Sequence, residues 1–251
     1  MPKKTSATRN LKAELICVGT ELVSGKPNTY PPLLSCELAK AGFTMIAEHS
    51  VRDSEKELTR AILISLKNAD LVLVTGGLGP TFDDITREAA ALALKRGFTV
   101  SSEIISAIEN RFKKYRIRMP EMNKRQAMVI KGAEILPNAF GTAPAQYIHF
   151  AKKSLILLPG TLMEWKPMYD KYVIPKLKKD FPAKTDTRTL AILLTGMADS
   201  TAAEKLAPVM TKHQDCAFTI LASEGLVSFH ITVSAKERRE CLDRLAGIKK
   251  E

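Results

Sequence analysis

At 251 residues the chain is long enough for one large α/β domain, or for one of ordinary size with a small one beside it, and for a substantial buried core. Its 38 Lys plus Arg against 27 Asp plus Glu leave a formal charge of +11 at pH 7, which favours phosphorylated ligands or nucleic acid without choosing between them; lysines scattered on solvated faces account for the same excess. No apolar run approaches membrane-spanning length, so no membrane partner is expected, and the basic residues 1–11 lack the apolar core of a secretory signal and read as a disordered tail.

The first element is an apolar strand, Ala13–Val18, leading into the turn Gly19-Thr20-Glu21. A helix is predicted near 30–41 with Gly42 at its C-terminus, then a strand over Met45–Val51 and a helix over 54–68. The apolar strand Leu71–Thr75 runs into Gly76-Gly-Leu-Gly-Pro-Thr-Phe-Asp-Asp-Ile-Thr86, where three glycines in four residues let a ligand approach the peptide N–H groups closely. Thr81-x-x-Asp84 fits a helix-start pattern, a side-chain cap with an acid in the first turn, ahead of a helix over 85–96 that ends at Gly97. The positive end of that helix favours an anion, and the plain alternative is a strand-to-helix turn capped for stability alone.

Further helices are predicted over 101–115 and from Trp165 to Leu177, with a strand at Leu155–Leu158 between them. Alternating strands and helices argue for a mostly parallel sheet covered on both faces, with ligands beyond the carboxyl ends of the strands. The loops at Gly19, Gly76 and Gly160 each follow a strand, so all three are expected at that edge. Lys178–Lys184 is polar and carries a proline, which reads as a linker. Beyond it come a strand (Thr189–Leu194), a helix (Ser200–Met210), two strands (Ala217–Leu221 and Leu226–Val233) joined around Glu224-Gly225, and a last helix (Lys236–Ile248), the order of a small α+β domain.

Cys17, Cys36, Cys216 and Cys241 stand far apart with no C-x-x-C spacing and read as reduced thiols of a cytoplasmic protein, not as zinc ligands or a disulfide frame. His49, His149, His213 and His230 are equally dispersed, which argues against a histidine-based metal site or triad.

Five ordered segments carry a resemblance: Val18-Gly-Thr-Glu-Leu-Val-Ser-Gly25, Thr75–Thr86, Asn123-Lys-Arg-Gln-Ala127, Gly141-Thr-Ala-Pro144 and Leu158-Pro-Gly160. Together they resemble the molybdopterin-binding-domain family, and within it the amino-terminal part of the competence/damage-inducible CinA proteins, over residues 12–180. Residues 185–251 are similar to the small KH-type domain that follows in CinA proteins. The carboxy-terminal deamidase domain of full-length members has no counterpart in this sequence, so deamidase activity is not expected.

The resemblance implies a three-layer α/β domain with a mostly parallel sheet, followed by the small α+β KH-type domain. It implies hydrolysis of the pyrophosphate of ADP-ribose to AMP and ribose 5-phosphate with a divalent metal, Mg²⁺, Mn²⁺ or Co²⁺. A non-hydrolytic molybdopterin- or nucleotide-binding protein is the alternative. Carboxylates beside a pyrophosphate would repel it unless a cation lay between, and Mg²⁺ takes one or two carboxylates plus phosphate oxygens and waters.

Asp84 and Asp53 match the family's acids and are the expected catalytic and metal-binding pair; Asp83 is a further metal candidate and Glu21 a weaker one. For Asp53 the alternative is the N-cap of the following helix, and for Asp83 a solvated first-turn acid. Phosphate binding is expected at Gly19, Thr20, Glu21, Thr75, Gly76, Gly77, Gly79, Pro80, Thr81, Gly141, Thr142, Ala143, Pro159 and Gly160. Asn123 and Gln126 match positions that reach a ribose or phosphate, or are ordinary polar helix residues. For Trp165, the single tryptophan, core packing outweighs ligand stacking.

The chain departs from the family at Lys26-Pro-Asn-Thr-Tyr-Pro-Pro32, at Ala145 and at Thr161-Leu-Met, all at the expected pocket rim. The expected partner is a phosphorylated, nucleotide-like small molecule, and the resemblance implies a homo-oligomer. Nucleic acid is disfavoured, because KH modules that grip RNA use a Gly-x-x-Gly loop and residues 185–251 contain none.

Overall fold

A computed structural model describes residues 11–182, 186–223 and 226–251. They fall into two compact units that part after Pro182. The tail reading of residues 1–10, the linker residues Ala183 and Lys184 and the Glu224-Gly225 joint lie outside the described residues, whereas Leu11, assigned to the tail, opens the first strand.

In chain order the larger unit has β1 (Leu11–Val18), the single turn α1 (Thr20–Val23), α2 (Tyr30–Lys40), β2 (Phe43–Val51), α3 (Glu55–Asn68), β3 (Leu71–Thr75), α4 (Thr86–Leu94), β4 (Phe98–Val100) and α5 (Ser102–Lys114). A 3₁₀ stretch (Glu121–Ala127), β5 (Met128–Ile130), β6 (Glu134–Leu136), β7 (Ala145–Phe150), β8 (Lys153–Leu158), α6 (Leu162–Met168) and α7 (Ile174–Asp180) complete it. One sheet runs β2-β1-β3-β8-β7-β6. Pairings among β2, β1, β3 and β8 are parallel, while β7 and β6 are added antiparallel.

The three layers follow from the period of two along a strand. All five residues of β3 are buried; Leu71 and Leu73 join the core formed with Leu34 and Leu38 of α2, Trp165 and Leu177, whereas Val72 and Val74 join the core formed with Leu58 and Ile62 of α3 and Ala89 and Ala90 of α4. A strand apolar on both sides needs helices on both faces, and that requirement places β3 in the middle of the sheet. Trp165 is fully buried, edge-on to the rings of Tyr30 and Tyr169, which assigns it to packing.

Helix ends differ from expectation in two places. Gly42 does follow α2 with a φ of 86°. After α4, however, it is Lys95 that takes the left-handed position, with a φ of 53°, and Gly97 lies beyond the helix end. A side chain in that conformation costs stability that glycine does not. Lys95→Gly is therefore expected to stabilise the protein by about 0.5–1 kcal/mol, measured by urea denaturation.

The helix expected from Trp165 runs instead from Leu162 to Asp180, with one π turn at Tyr169–Val173. Pro175 in a straight α-helix would collide with the Lys171 carbonyl, and the chain widens there, the Ile174 N–H bonding the Tyr169 carbonyl. Lys178, Lys179 and Asp180 finish α7, and Phe181 packs edge-on against Phe43 and His149, so this part of the expected linker belongs to the larger unit.

The smaller unit contains β9 (Asp186–Thr195), α8 (Asp199–Lys212), β10 (Ala217–Ser223), β11 (Leu226–Ala235) and α9 (Arg238–Lys250). Its antiparallel sheet has the order β10-β11-β9, and Phe229, Ile231 and Val233 of the central strand pack on Cys241, Leu245 and Ile248 of α9.

Candidate functional site

Parallel strands β1, β3 and β8 end at the same edge, and their loops are tied together there. The Gly76 N–H donates to the Leu158 carbonyl at 3.0 Å, and the Gly19 N–H to the Val51 carbonyl at 2.9 Å. Thr20 clasps the next loop: its N–H and its hydroxyl both donate to Asp53 Oδ2 at 2.8 Å, and its Oγ1 accepts from the Asp53 N–H. The N-cap of α3 is Ser54, whose Oγ accepts from the Glu57 N–H, so the cap alternative for Asp53 falls away.

The glycine loop owes its shape to α4. The Thr86 hydroxyl, fully buried, donates to the Gly76 carbonyl at 2.8 Å, and the Thr86 N–H donates to the Gly77 carbonyl at 3.1 Å. In a trans peptide the N–H points opposite to the carbonyl. The Gly77 and Leu78 N–H groups are therefore turned away from α4, and neither finds an acceptor among the described residues. Gly76 and Gly77 have φ of 96° and 62°, and a Cβ on Gly76 would lie 2.4 Å from the Val18 carbonyl oxygen, so only glycine permits this pair. Consecutive outward N–H groups form a concave anion site.

Three side chains hold the rest of the loop. Asp84 accepts from the Gly79 N–H and the Thr81 N–H, each at 2.8 Å, and from the Thr81 hydroxyl. Helix α4 begins only at Thr86, so Thr81 is not its cap; the acid reaches back to close the loop. Arg87, 1 % exposed, donates to the Leu78 carbonyl at 2.6 Å and the Gly79 carbonyl at 2.8 Å, and burial pulls its guanidinium below the usual arginine range. Arg125 donates to the carbonyls of Thr81 and Asp84 and to Glu88. Two cations thus brace the loop through the carbonyls of Leu78, Gly79, Thr81 and Asp84.

A second loop is ordered by Asn138. Its Oδ1 accepts from the N–H groups of Phe140 and Gly141, and its amide donates to the Ala143 carbonyl and to Glu164 Oε2. Thr161 supplies the bond to the other Glu164 oxygen at 2.8 Å. The Thr142 and Ala143 N–H groups are left without acceptors among the described residues.

Between the loops lies a cavity of about 630 Å³. Of the residues expected from sequence, Gly19, Glu21, Asp53, Thr75, Gly76, Gly77, Gly79, Pro80, Asp83, Asp84, Gln126, Gly141, Thr142, Ala143, Pro159 and Gly160 line it. Thr20, Thr81 and Asn123 do not line it; Thr20 and Thr81 are exposed, and Asn123 and Gln126 are both buried and bonded to each other at 3.1 Å. The N–H groups of Gly79, Thr81 and Gly141, expected to hold phosphate, are spent on Asp84 and Asn138. The Gly19 and Gly76 N–H groups are likewise taken, by the Val51 and Leu158 carbonyls, and the N–H groups of Gly77, Leu78, Thr142 and Ala143 are among those left free on the wall. Lys26, Asn28, Thr29, Tyr30, Leu78, Arg111, Phe140, Thr161 and Glu164 are among the wall positions outside the expected set. Several of them fall in the segments that depart from the family, so those departures shape the wall itself.

Five carboxylates line the cavity, Glu21, Asp53, Asp83, Asp84 and Glu164, against the two cations Lys26 and Arg111. Glu21 faces Lys26 at 3.7 Å; Asp84 and Glu164 are occupied as described, but Asp53 Oδ1 accepts no hydrogen bond among the described residues. No group of three or more His, Cys, Asp or Glu converges as a ready metal cage among those residues. Net negative walls with an open oxygen on Asp53 fit a hard cation that takes its remaining oxygens from a phosphate ligand and water.

Residues 14–179 match the family described as a probable molybdopterin binding domain. The chain is 38 % identical over 231 residues to a CinA-like protein of Solibacter usitatus, covering 92 % of this chain and 55 % of that one. It is 37 % identical over 236 residues to a putative competence-damage inducible protein of Caldicellulosiruptor saccharolyticus, covering 94 % and 57 %. The chain thus spans little more than half the length of these relatives. The solved structure of the protein CinA from Thermoplasma acidophilum, whose function is described as unknown, superposes with a TM-score of 0.61 at 28 % identity, covering 67 % of this chain and 98 % of that one.

Proposed function

Because this chain belongs to the molybdopterin-binding-domain family and is related to CinA-like proteins, we propose that its larger unit binds a phosphorylated, nucleotide- or pterin-bearing small molecule at the edge formed by β1, β3 and β8. The observation that carries this reading is the pair of outward N–H groups at Gly77 and Leu78, faced by a second free pair at Thr142 and Ala143. Two such pairs across one cavity suit the two phosphates of a diphosphate, and Lys26 and Arg111 add positive charge at its wall.

Binding is expected to raise the melting temperature when the protein is scanned with AMP, ADP-ribose or a molybdopterin. Ligand at 100 times its Kd adds about 2.7 kcal/mol to the folded state. For a protein of this size that corresponds to roughly 2–4 °C per kcal/mol. Unchanged melting across these ligands at millimolar concentration defeats the proposal.

A second reading, hydrolysis of ADP-ribose to AMP and ribose 5-phosphate, is favoured by the carboxylate excess and by the open Asp53 oxygen. A divalent cation at that oxygen would neutralise phosphoryl charge and lower the pKa of an attacking water. The protein's own part is to fix the diphosphate on the four amides while Thr20 holds Asp53 by two hydrogen bonds in one orientation. In the presence of Mg²⁺, Mn²⁺ or Co²⁺, AMP release is expected to fall at least 100-fold in Asp53→Asn, the loss expected when a positioned metal or water contact is removed (about 2.7 kcal/mol). Binding with no AMP release in the unaltered protein would leave the non-hydrolytic reading standing alone.

A further inference from the structure

Beside the phosphate cavity lies another, of about 800 Å³, along α5. We propose that it receives the planar heteroaromatic base of the same ligand, an inference that rests on the phosphate reading above. The two cavities share Arg111, Phe140, Gly141 and Thr142 as wall. A phosphate on the free Thr142 N–H therefore sits at their junction, and the group it carries leads into the second space.

That space has the chemistry of a base site. Its floor is apolar, with Ile104 and Ile108 at 7 % and 2 % exposure, and the rings of Tyr115 and Phe140 are exposed at its edge. The Asn110 amide lines it and makes no hydrogen bond among the described residues, leaving both a donor and an acceptor for the edge of a base. The Arg111 guanidinium donates to the carbonyls of Ala139 and Phe140, so the partition between the cavities is fixed in place and carries positive charge. Pockets that combine an apolar lining, aromatic rims and a few polar groups suit a planar ligand, and the volume lies within the range of small-molecule sites.

Calorimetry with inorganic pyrophosphate and with ADP, in Mg²⁺, separates this inference from its premise. ADP is expected to bind at least tenfold more tightly than pyrophosphate. Ala107→Trp, which projects a bulky ring into the second space from an exposed position on α5, is expected to erase that advantage while leaving pyrophosphate affinity within twofold. Tyr115→Ala provides the same test without added bulk, with an expected loss of three- to tenfold for ADP alone. Equal affinities for the two ligands, or an ADP advantage that survives both substitutions, overturn the base site and leave the phosphate reading intact. No heat with either ligand overturns both.

Discussion

Arg87→Met is expected to lower the unfolding free energy by about 2–4 kcal/mol, and to weaken diphosphate binding at least tenfold. Two effects oppose one another. Methionine relieves the desolvation of a guanidinium held at 1 % exposure. It also leaves the Leu78 and Gly79 carbonyls without the donors that hold them at 2.6 and 2.8 Å. Bonds from a charged donor contribute about 1.5–3 kcal/mol each, and an orphaned buried carbonyl costs about 1–3 kcal/mol, so the loss of donors wins. Binding weakens because the Leu78 and Gly79 carbonyls released from Arg87 free the peptides that follow the Leu78 amide, and each ligand must order that part of the loop again although Thr86 still holds the Gly76 and Gly77 carbonyls. Arg87→Lys keeps the charge but not the planar fork and is expected to fall between the two. Urea denaturation and pyrophosphate calorimetry measure both effects; an Arg87→Met protein of unchanged stability and affinity refutes the bracing role.

Asp84→Ala carries the second large effect, a fall of at least tenfold in pyrophosphate affinity with a stability loss of about 1–3 kcal/mol. Removing an acid from the wall of an anion site should by charge alone strengthen binding, by roughly 1 kcal/mol in a solvated cleft. The carboxylate, however, accepts three bonds from Gly79 and Thr81 and is the acceptor for both of their N–H groups in that loop. A loop freed to move must be ordered again by each ligand it binds. The same measurement in EDTA separates bracing from metal binding. A brace lowers affinity with and without Mg²⁺, whereas a metal ligand lowers it only with Mg²⁺ present. Loss confined to the Mg²⁺ condition would favour the metal-binding role that the motifs imply for Asp84.

Elements with strong periodicity were legible. Helices α2, α3 and α5 start and end within a residue or two of their expected places because their apolar positions recur at helical spacing over three turns or more. Short strands were not. β4, β5 and β6 have three residues each, too few for any period to show. β7 is longer, but its second residue is Gln146, a polar side chain where an apolar one is expected. Gln146 is buried, its amide bonding the Ile130 N–H and the Met128 carbonyl and so tying β5 to the sheet by side chain alone.

Of the site, the motifs located the cavity but not the division of labour within it. Which loops line the edge follows from glycines placed after apolar strands, and that order is local in the chain. Thr86 and Arg125 lie inside quoted motifs, Arg87 beside one and Asn138 outside them all, but nothing in the local order of a threonine, two arginines and an asparagine shows that they brace loops. Only folding brings Arg125 to a loop 44 residues away and Asn138 to Glu164, 26 residues on.

The amino-acid order by itself determined the family, the buried parallel strands and the glycine turns, because these depend on side-chain pattern along a few consecutive residues. Tertiary structure alone decided which amides remain free to meet a ligand. An N–H is available only when no carbonyl or carboxylate from elsewhere in the fold has claimed it, and that competition is settled by distances between distant segments. Asp84 and Asn138 win three of the expected donors, while Thr86 turns the Gly77 and Leu78 amides outward.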